Sequence, residues 1–198
     1  MTFADFSPLV ATTLRDPRAA ARQIMAMRLP RDVSWTALAL VAAINSFVLT
    51  GMVSMAPVES QAQFPSYFAS PLAVFVLMAG MMVIYIHVVF WSGRALSGKG
   101  QLDDVIAVLV WLQLLRTAAQ IAIIAVATVL PQVAGLLSLV ALGWGLWILF
   151  SFIAETLALP SIGHAVLVLF MAIVGFVLGV TFLMTLIGGF AQGDLSNV

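Results

Sequence analysis

Cysteine is missing from this sequence altogether, and charged residues are scarce. Among 198 residues there is no Cys, and only 8% are Asp, Glu, Lys or Arg, against about 25% in a soluble domain. The lack of thiols excludes disulfides, thiolate metal sites and a thiol nucleophile. Because basic and acidic residues are equal in number, no net field attracts nucleic acid, and we expect no nucleic-acid partner.

Recognisable catalytic motifs are missing too. The sequence contains no G-x-S-x-G, no H-E-x-x-H, no P-loop and no dinucleotide fingerprint, which are the usual marks of hydrolases and nucleotide-binding enzymes. The two histidines, His87 and His164, belong to different predicted elements and have no carboxylate pair nearby, a pattern that does not favour a metal centre. We therefore predict a protein that is not an enzyme and that uses no cofactor or metal.

Long apolar blocks are what the chain has instead. Hydrophobic residues make up 63% of it, and the mean hydropathy is +1.16. A membrane-spanning helix needs about 20 predominantly apolar residues, and five blocks qualify: 34–54, 71–92, 105–130, 133–157 and 165–187. The sequence thus predicts an all-α fold, a polytopic transmembrane helical bundle of five spans in 33–188, with an amino-terminal segment 1–32 and a tail 189–198.

The positions of the basic residues predict the orientation. Those outside the apolar blocks precede the first span or lie in the second loop: Arg15, Arg18, Arg22, Arg28, Arg31, Arg94 and Lys99. By the positive-inside rule the amino terminus is cytoplasmic and the carboxyl terminus is outside. We expect a multi-pass protein of the bacterial inner membrane, with a periplasmic carboxyl terminus.

A short amphipathic helix is predicted before the first span. Asp16 is a suitable cap and Pro17 suits the first helical position. Arg15, Arg18 and Arg22 then share one stripe, opposite an apolar one. This pattern is typical of an interfacial helix lying at the membrane surface, with anionic lipid head groups as partners. A simple basic flank that sets the topology is the alternative.

One arginine falls inside an apolar block. Arg116 lies about 16 Å along the third span, near the middle of a hydrocarbon layer about 30 Å thick, where a charge is costly unless it faces protein or water. We predict a buried polar cluster that mainly fixes helix packing. A proton or ion path, and recognition of a lipid head group or another subunit, are the alternatives. The predicted members are Asn45, His87, Gln113, Arg116, Gln120 and Glu155.

A pair of glycines marks the last span. Gly175 and Gly179 form a G-x-x-x-G, which lets a second helix approach closely. This helix-packing face can serve a contact within the chain or a contact between copies, so that a homo-oligomer is left open.

Three segments carry a family resemblance: RDPRAAARQIMAMR, SGKGQLDDVIAVLVWLQLLRTAAQ and LWILFSFIAE, the last with Trp147, Phe152 and Glu155. Together they resemble a bacterial member of the Yip (Ypt-interacting-protein, YIP domain) family, over nearly the whole chain. The resemblance implies a cytoplasmic amino terminus, five spans, an outward carboxyl terminus and action through partners. The small-GTPase partners of eukaryotic relatives do not carry over to a chain with so short a cytoplasmic segment.

Taken together, these features predict a non-enzymatic integral membrane scaffold or accessory subunit that binds other integral membrane proteins or a larger membrane complex. The alternative is a small transporter or channel component that uses the polar cluster around Arg116 as an ion or proton path. Five unequal spans show no inverted repeat, which does not favour a transporter.

Overall fold

The computed structural model describes residues 3–57 and 64–193, and the burial of side chains in 6–57, 64–65, 68–178 and 181. All regular structure in this part of the chain is helical. The helices are α1 (Phe3–Arg15), α2 (Pro17–Ala26), α3 (Arg31–Met55), α4 (Pro71–Ala95), α5 (Leu102–Ala127), α6 (Pro131–Thr156) and α7 (Ile162–Gly193), with a 3-10 turn at Ser66–Ala69.

Four of the described helices, α3 to α6, are long and apolar enough to cross a membrane. The described apolar part of α7, Ile162–Leu178, is shorter. The chain is therefore a multi-pass membrane protein, and the predicted all-α membrane bundle is confirmed. The fifth predicted span, 165–187, falls within α7, and because most side chains beyond Leu178 lie outside the described residues, five crossings remain a prediction.

Prolines and short polar side chains fix where the helices begin. Pro17, Pro71 and Pro131 occupy the first turns of α2, α4 and α6, where a missing N–H leaves no hydrogen bond unmade. The Asp16 carboxylate accepts a hydrogen bond from the Ala19 N–H at 3.0 Å, as a helix cap does. The boundaries read from the sequence thus have local causes.

The core lies towards one end of the bundle. This end, which we call the basic end, comprises the loops 27–30, 96–101 and 157–161 with Arg28, Arg31, Arg94 and Lys99. The main hydrophobic cluster is built from the parts of α3 to α7 nearest those loops, with representatives at Leu38, Ile86, Leu109, Ile153 and Val168. The opposite end, which we call the far end, contributes few buried residues.

The hairpin formed by α1 and α2 packs beside α5 and α6. A second hydrophobic cluster joins Leu9, Ala20 and Ile24 of the hairpin to Trp111 and Phe152. The apolar stripe of α2, predicted from the sequence to lie at the membrane surface, therefore lies against protein. An amphipathic pattern identifies the face that is buried, but it does not distinguish a membrane from a neighbouring helix as the partner.

The far half of α6 is contacted much less than the half near the basic end. From 131 to 147 the only buried residue of α6 is Ala134, whereas Ile148 and most residues of 151–156 are buried. Large apolar side chains of the far half are exposed, including Leu136, Leu139 and Leu142. In a membrane this surface faces lipid or another protein.

Candidate functional site

Arg116 lies on the side of α5 that faces the core. It follows Leu112 by four residues and Leu109 by seven, so that its side chain points within about 40° of each leucine. Both leucines pack in the main cluster. Arg116 itself is exposed rather than buried, and among the described residues its guanidinium has no hydrogen-bond or ion-pair partner.

The bundle is open beside Arg116. On α6, Ile153 and Leu149 face the core, and the same stripe continues outward as Leu146 and Leu142 at helical spacing. These two leucines are 41% and 62% exposed, so the face that packs near the basic end is uncovered at the depth of Arg116. We call the region bounded by Arg116, Leu142 and Leu146 the lateral opening.

Two polar side chains of the predicted cluster join α3 to α5. Asn45 Nδ2 donates to Thr117 Oγ1 at 2.7 Å and to its own helix at the Val41 carbonyl. Thr117 in turn donates to the Gln113 carbonyl at 2.8 Å. One turn further on, Gln120 Nε2 donates to Met52 Sδ at 3.8 Å. These contacts tie two parallel helices together without involving Arg116.

His87 lies in a separate environment, between α4 and α3. Its Nδ1 is 2.8 Å from the Val83 carbonyl oxygen one turn earlier, and its ring lies 6.4 Å from the Trp35 ring at 30°. Both rings are nearer the basic end than Arg116 is. The contacts given by the structure therefore do not bring His87 to the arginine.

Glu155 pairs with a different arginine. Its Oε1 accepts a hydrogen bond from Arg22 Nη1 at 3.0 Å, which joins α2 to α6. Glu155 is next to the last residue of α6, whereas Arg116 is near the middle of α5, and this difference in depth separates them. Of the two other arginines that were predicted to share a stripe with Arg22, Arg15 is exposed and Arg18 is half-buried. The six predicted cluster residues are thus divided among separate contacts.

Two tryptophans anchor the hairpin. Trp111 Nε1 donates to Thr13 Oγ1 at 3.0 Å in a buried setting, and Phe6 packs edge-on against the Trp111 ring at 5.1 Å. Trp144 Nε1 donates to the Leu14 carbonyl at 3.2 Å. These contacts were not predicted from the sequence. The sequence feature that indicates such contacts is the position of two tryptophans inside apolar blocks, because a buried indole N–H needs an acceptor.

The loops 96–101 and 157–161 are joined at the basic end. The Lys99 N–H donates to the Leu157 carbonyl at 2.9 Å, and the Gly98 N–H donates to the Gly93 carbonyl at 2.8 Å. A Cβ at Gly100 would collide with the Thr156 carbonyl oxygen. The glycines of the S-G-K-G sequence therefore permit two chain segments to touch through their backbones.

A cleft of about 600 Å³ opens between the end of α2 and the start of α5. Arg28, Asp103 and Asp104 contribute charge of both signs to its lining. Beside it, Arg31 Nε lies 3.5 Å from Asp103 Oδ1, with both side chains more than half exposed, so the pair adds little stability. Within the described part of the chain, no group of three or more His, Asp and Glu residues is placed to hold a metal ion.

The glycine pair of α7 can be described only in part. A Cβ at Gly175 would lie 3.5 Å from Val88 Cγ1 of α4, an ordinary packing distance. The surroundings of Gly179 lie outside the described residues.

Comparison with curated proteins finds no match, and comparison with solved structures finds none either. The Yip1 domain, by contrast, matches residues 11–184. The match takes in all of α2 to α6 and extends into both flanking helices, and so it includes the joined loops, the hairpin anchors and Arg116. The family indicated by the three sequence segments is confirmed: the chain belongs to the Yip1 domain family of membrane proteins.

Proposed function

We propose that the protein is a non-enzymatic membrane scaffold or accessory subunit that binds other integral membrane proteins. The observation that carries this proposal is the contrast along α6. Near the basic end the helix is enclosed by α2, α5 and the loop 96–101, whereas most side chains of its far half are exposed, and Trp144 there bonds the Leu14 carbonyl of α1. A firmly packed half that holds an uncovered apolar half in place leaves a surface that suits lipid or another membrane protein, and we assign it to the latter.

In this proposal the basic end is cytoplasmic and the membrane is the bacterial inner membrane. The exposed arginines support this orientation because positive residues are retained on the cytoplasmic side. Arg15, Arg18 and Arg22 border the hairpin, where anionic lipid head groups add about 1 kcal/mol of binding for each nearby basic residue. The hairpin then combines protein contacts on one face with head-group contacts on the other.

The alternative, a transporter or channel component, has less support. A path from Arg116 to the basic end would cross the main core. The space between Val105, Leu109 and Phe152 is about 10 Å³, no more than one water occupies, and its lining is almost entirely apolar. The described residues therefore favour binding over conduction.

Purification from native membranes tests the proposal. The full chain would be extracted in a mild detergent or into nanodiscs, and proteins present in amounts equal to it would be identified by mass spectrometry. We expect a reproducible integral membrane partner. A lone monomer or homo-oligomer would contradict the scaffold function. Solute or ion flux in proteoliposomes that disappears in a folded Arg116→Leu variant would favour the alternative.

A further inference from the structure

We infer that the lateral opening is the docking site for a transmembrane helix of a different protein, one that carries an Asp or Glu near the middle of its span and pairs it with Arg116. This inference rests on the proposed function and specifies the chemistry of the partner. Three observations carry it: the uncompensated charge of Arg116, the lack of a matching acid in this chain, and the shape of the opening.

Arg116 is a charge that the described structure leaves uncompensated. It is exposed on the core-facing side of a membrane helix and has no polar partner among the described residues. It is also the only Lys or Arg after Lys99 in the sequence. A charge at this depth costs roughly 2.5–3.5 kcal/mol even on the most lenient insertion scale, and a facing carboxylate would offset much of that cost.

Within the described membrane helices, no acid lies at the depth of Arg116. No Asp or Glu falls within 33–55, 71–101, 105–154 or 156–193. Glu155 is held by Arg22, and Asp16 caps α2 beside the Trp111 side of α5, about 140° around that helix from Arg116. A second copy has the same sequence and lacks the acid as well. On these grounds the complementary charge is assigned to another molecule.

The depth of Arg116 favours a helix over a lipid head group. The residue lies about 21 Å from Leu102 and about 17 Å from Ala127 along α5. Phosphates are located at the two surfaces of a hydrocarbon layer about 30 Å thick, farther than an arginine side chain extends from this position. A carboxylate in the middle of a partner helix lies at the same depth.

The walls of the opening suit a helix. Leu142 and Leu146 give an apolar surface, and Gly143 lies about 18 Å from Pro131 along α6, the depth of Arg116. A Cβ at Gly143 would have no neighbour within 4 Å. Small residues let the backbones of two membrane helices come close, so a partner helix can approach at the level where the ion pair would form.

Synthetic spanning helices provide the probe. The full-length protein, carrying a fluorescent donor, would be reconstituted in phosphatidylcholine vesicles with acceptor-labelled Leu/Ala helices that bear one central Glu or, as the matched peptide, one central Leu. Energy transfer measures association. We expect the Glu helix to bind about five- to thirtyfold more tightly, the range that polar contacts of about 1–2 kcal/mol between helices produce.

Substitutions at the lateral opening test whether the preference for the Glu helix depends on Arg116. Arg116→Leu should abolish the preference for Glu, Arg116→Lys should keep part of it, and Arg116→Glu should transfer the preference to a helix with a central Lys. Gly143→Leu should weaken association by obstructing the approach. Gly80→Leu is its control, because Gly80 is exposed on α4 with equally open space around it but lies away from α5 and α6.

Three results would overturn the inference. Equal binding of the Glu and Leu helices is one, and a Glu preference that survives in folded Arg116→Leu is another. The third is a thermal stabilisation by phosphatidylglycerol that requires Arg116 while the Glu preference is missing, which would assign the site to a lipid phosphate. A native complex that survives Arg116→Leu would leave the scaffold function intact, whereas a Glu preference without any native complex would leave this site intact.

Discussion

Arg22 on α2 and Glu155 on α6 form an ion pair with 3.0 Å between Nη1 and Oε1, although 133 residues separate them in the chain. The pair lies at the border of the cluster in which Ala20 and Ile24 pack against Phe152. It therefore closes the contact between the amino-terminal hairpin and the membrane helices. It also holds Glu155, the one Asp or Glu within 105–193, away from Arg116.

Glu155→Gln should loosen the hairpin without unfolding the bundle. The Arg22 side chain is 55% exposed and that of Glu155 is 23% exposed, so we expect a loss of about 1 kcal/mol or less. Because the chain has no Cys, replacing the buried Ala20 with Cys provides a single thiol that reports on the hairpin. The rate at which a thiol reagent modifies this Cys should rise when Glu155→Gln is added. Exchanging the charges of Arg22 and Glu155 should restore the slow rate. Arg18→Gln, made alone, should leave the slow rate of the parent protein unchanged. Equal rates in all variants would exclude a holding role for the pair.

Thr13→Val should destabilise the protein more than its neighbour Thr12→Val does. Thr13 is fully buried and accepts the Trp111 indole N–H at 3.0 Å, so its loss leaves a buried donor unpaired at a cost of about 1–3 kcal/mol. The Thr12 hydroxyl donates to the Pro8 carbonyl in an exposed setting, so its loss leaves no buried donor unpaired. The free energy of unfolding in a detergent–SDS titration, followed by tryptophan fluorescence, measures the difference. Equal effects at the two positions would contradict the anchoring role of Trp111.

The membrane helices could be predicted from the sequence because each depends on local features. A block of about 20 apolar residues suffices for a span, and Pro71, Pro131 and Asp16 mark helix starts through their own geometry and hydrogen bonds. The observed α3 to α6 accordingly agree with the apolar blocks.

The polar contacts could not be predicted in the same way. They depend on how each helix is rotated about its own axis and on how far it is shifted along its neighbour. The sequence places Glu155 and Arg116 on adjacent antiparallel helices, but it does not reveal that α2 supplies Arg22 at the level of Glu155. The same holds for Trp111, whose acceptor Thr13 is 98 residues away. When only the apolar blocks are considered, their polar residues are paired with each other. A short helix outside those blocks, such as α2, can bind the same polar groups instead.

Asn45 and Thr117 should show a measurable but small coupling. Their hydrogen bond of 2.7 Å joins α3 to α5, and such bonds between membrane helices contribute about 0.6 kcal/mol on average. A double-mutant cycle with Asn45→Leu and Thr117→Val, read as free energy of unfolding, should give a coupling near that size. Asn45 also donates to the Val41 carbonyl. Asn45→Leu removes this bond both with and without Thr117→Val, so its contribution cancels in the double-mutant cycle. Additive effects of the two substitutions would show that this hydrogen bond does not help to hold α3 against α5.

Gly100→Ala should lower the thermal stability of the protein, whereas Gly80→Ala should not. Gly100 does not have a positive φ, so it is needed for its missing Cβ: the added methyl group would collide with the Thr156 carbonyl, which is backbone and cannot rotate away. Separating the joined loops should cost about 1–3 kcal/mol. At Gly80 nothing lies within 4 Å of the added Cβ, and alanine favours the helix by roughly 0.5–1 kcal/mol. Melting temperatures in mild detergent should therefore move in opposite directions, and a Gly100→Ala protein as stable as wild type would show that the loops can separate without loss.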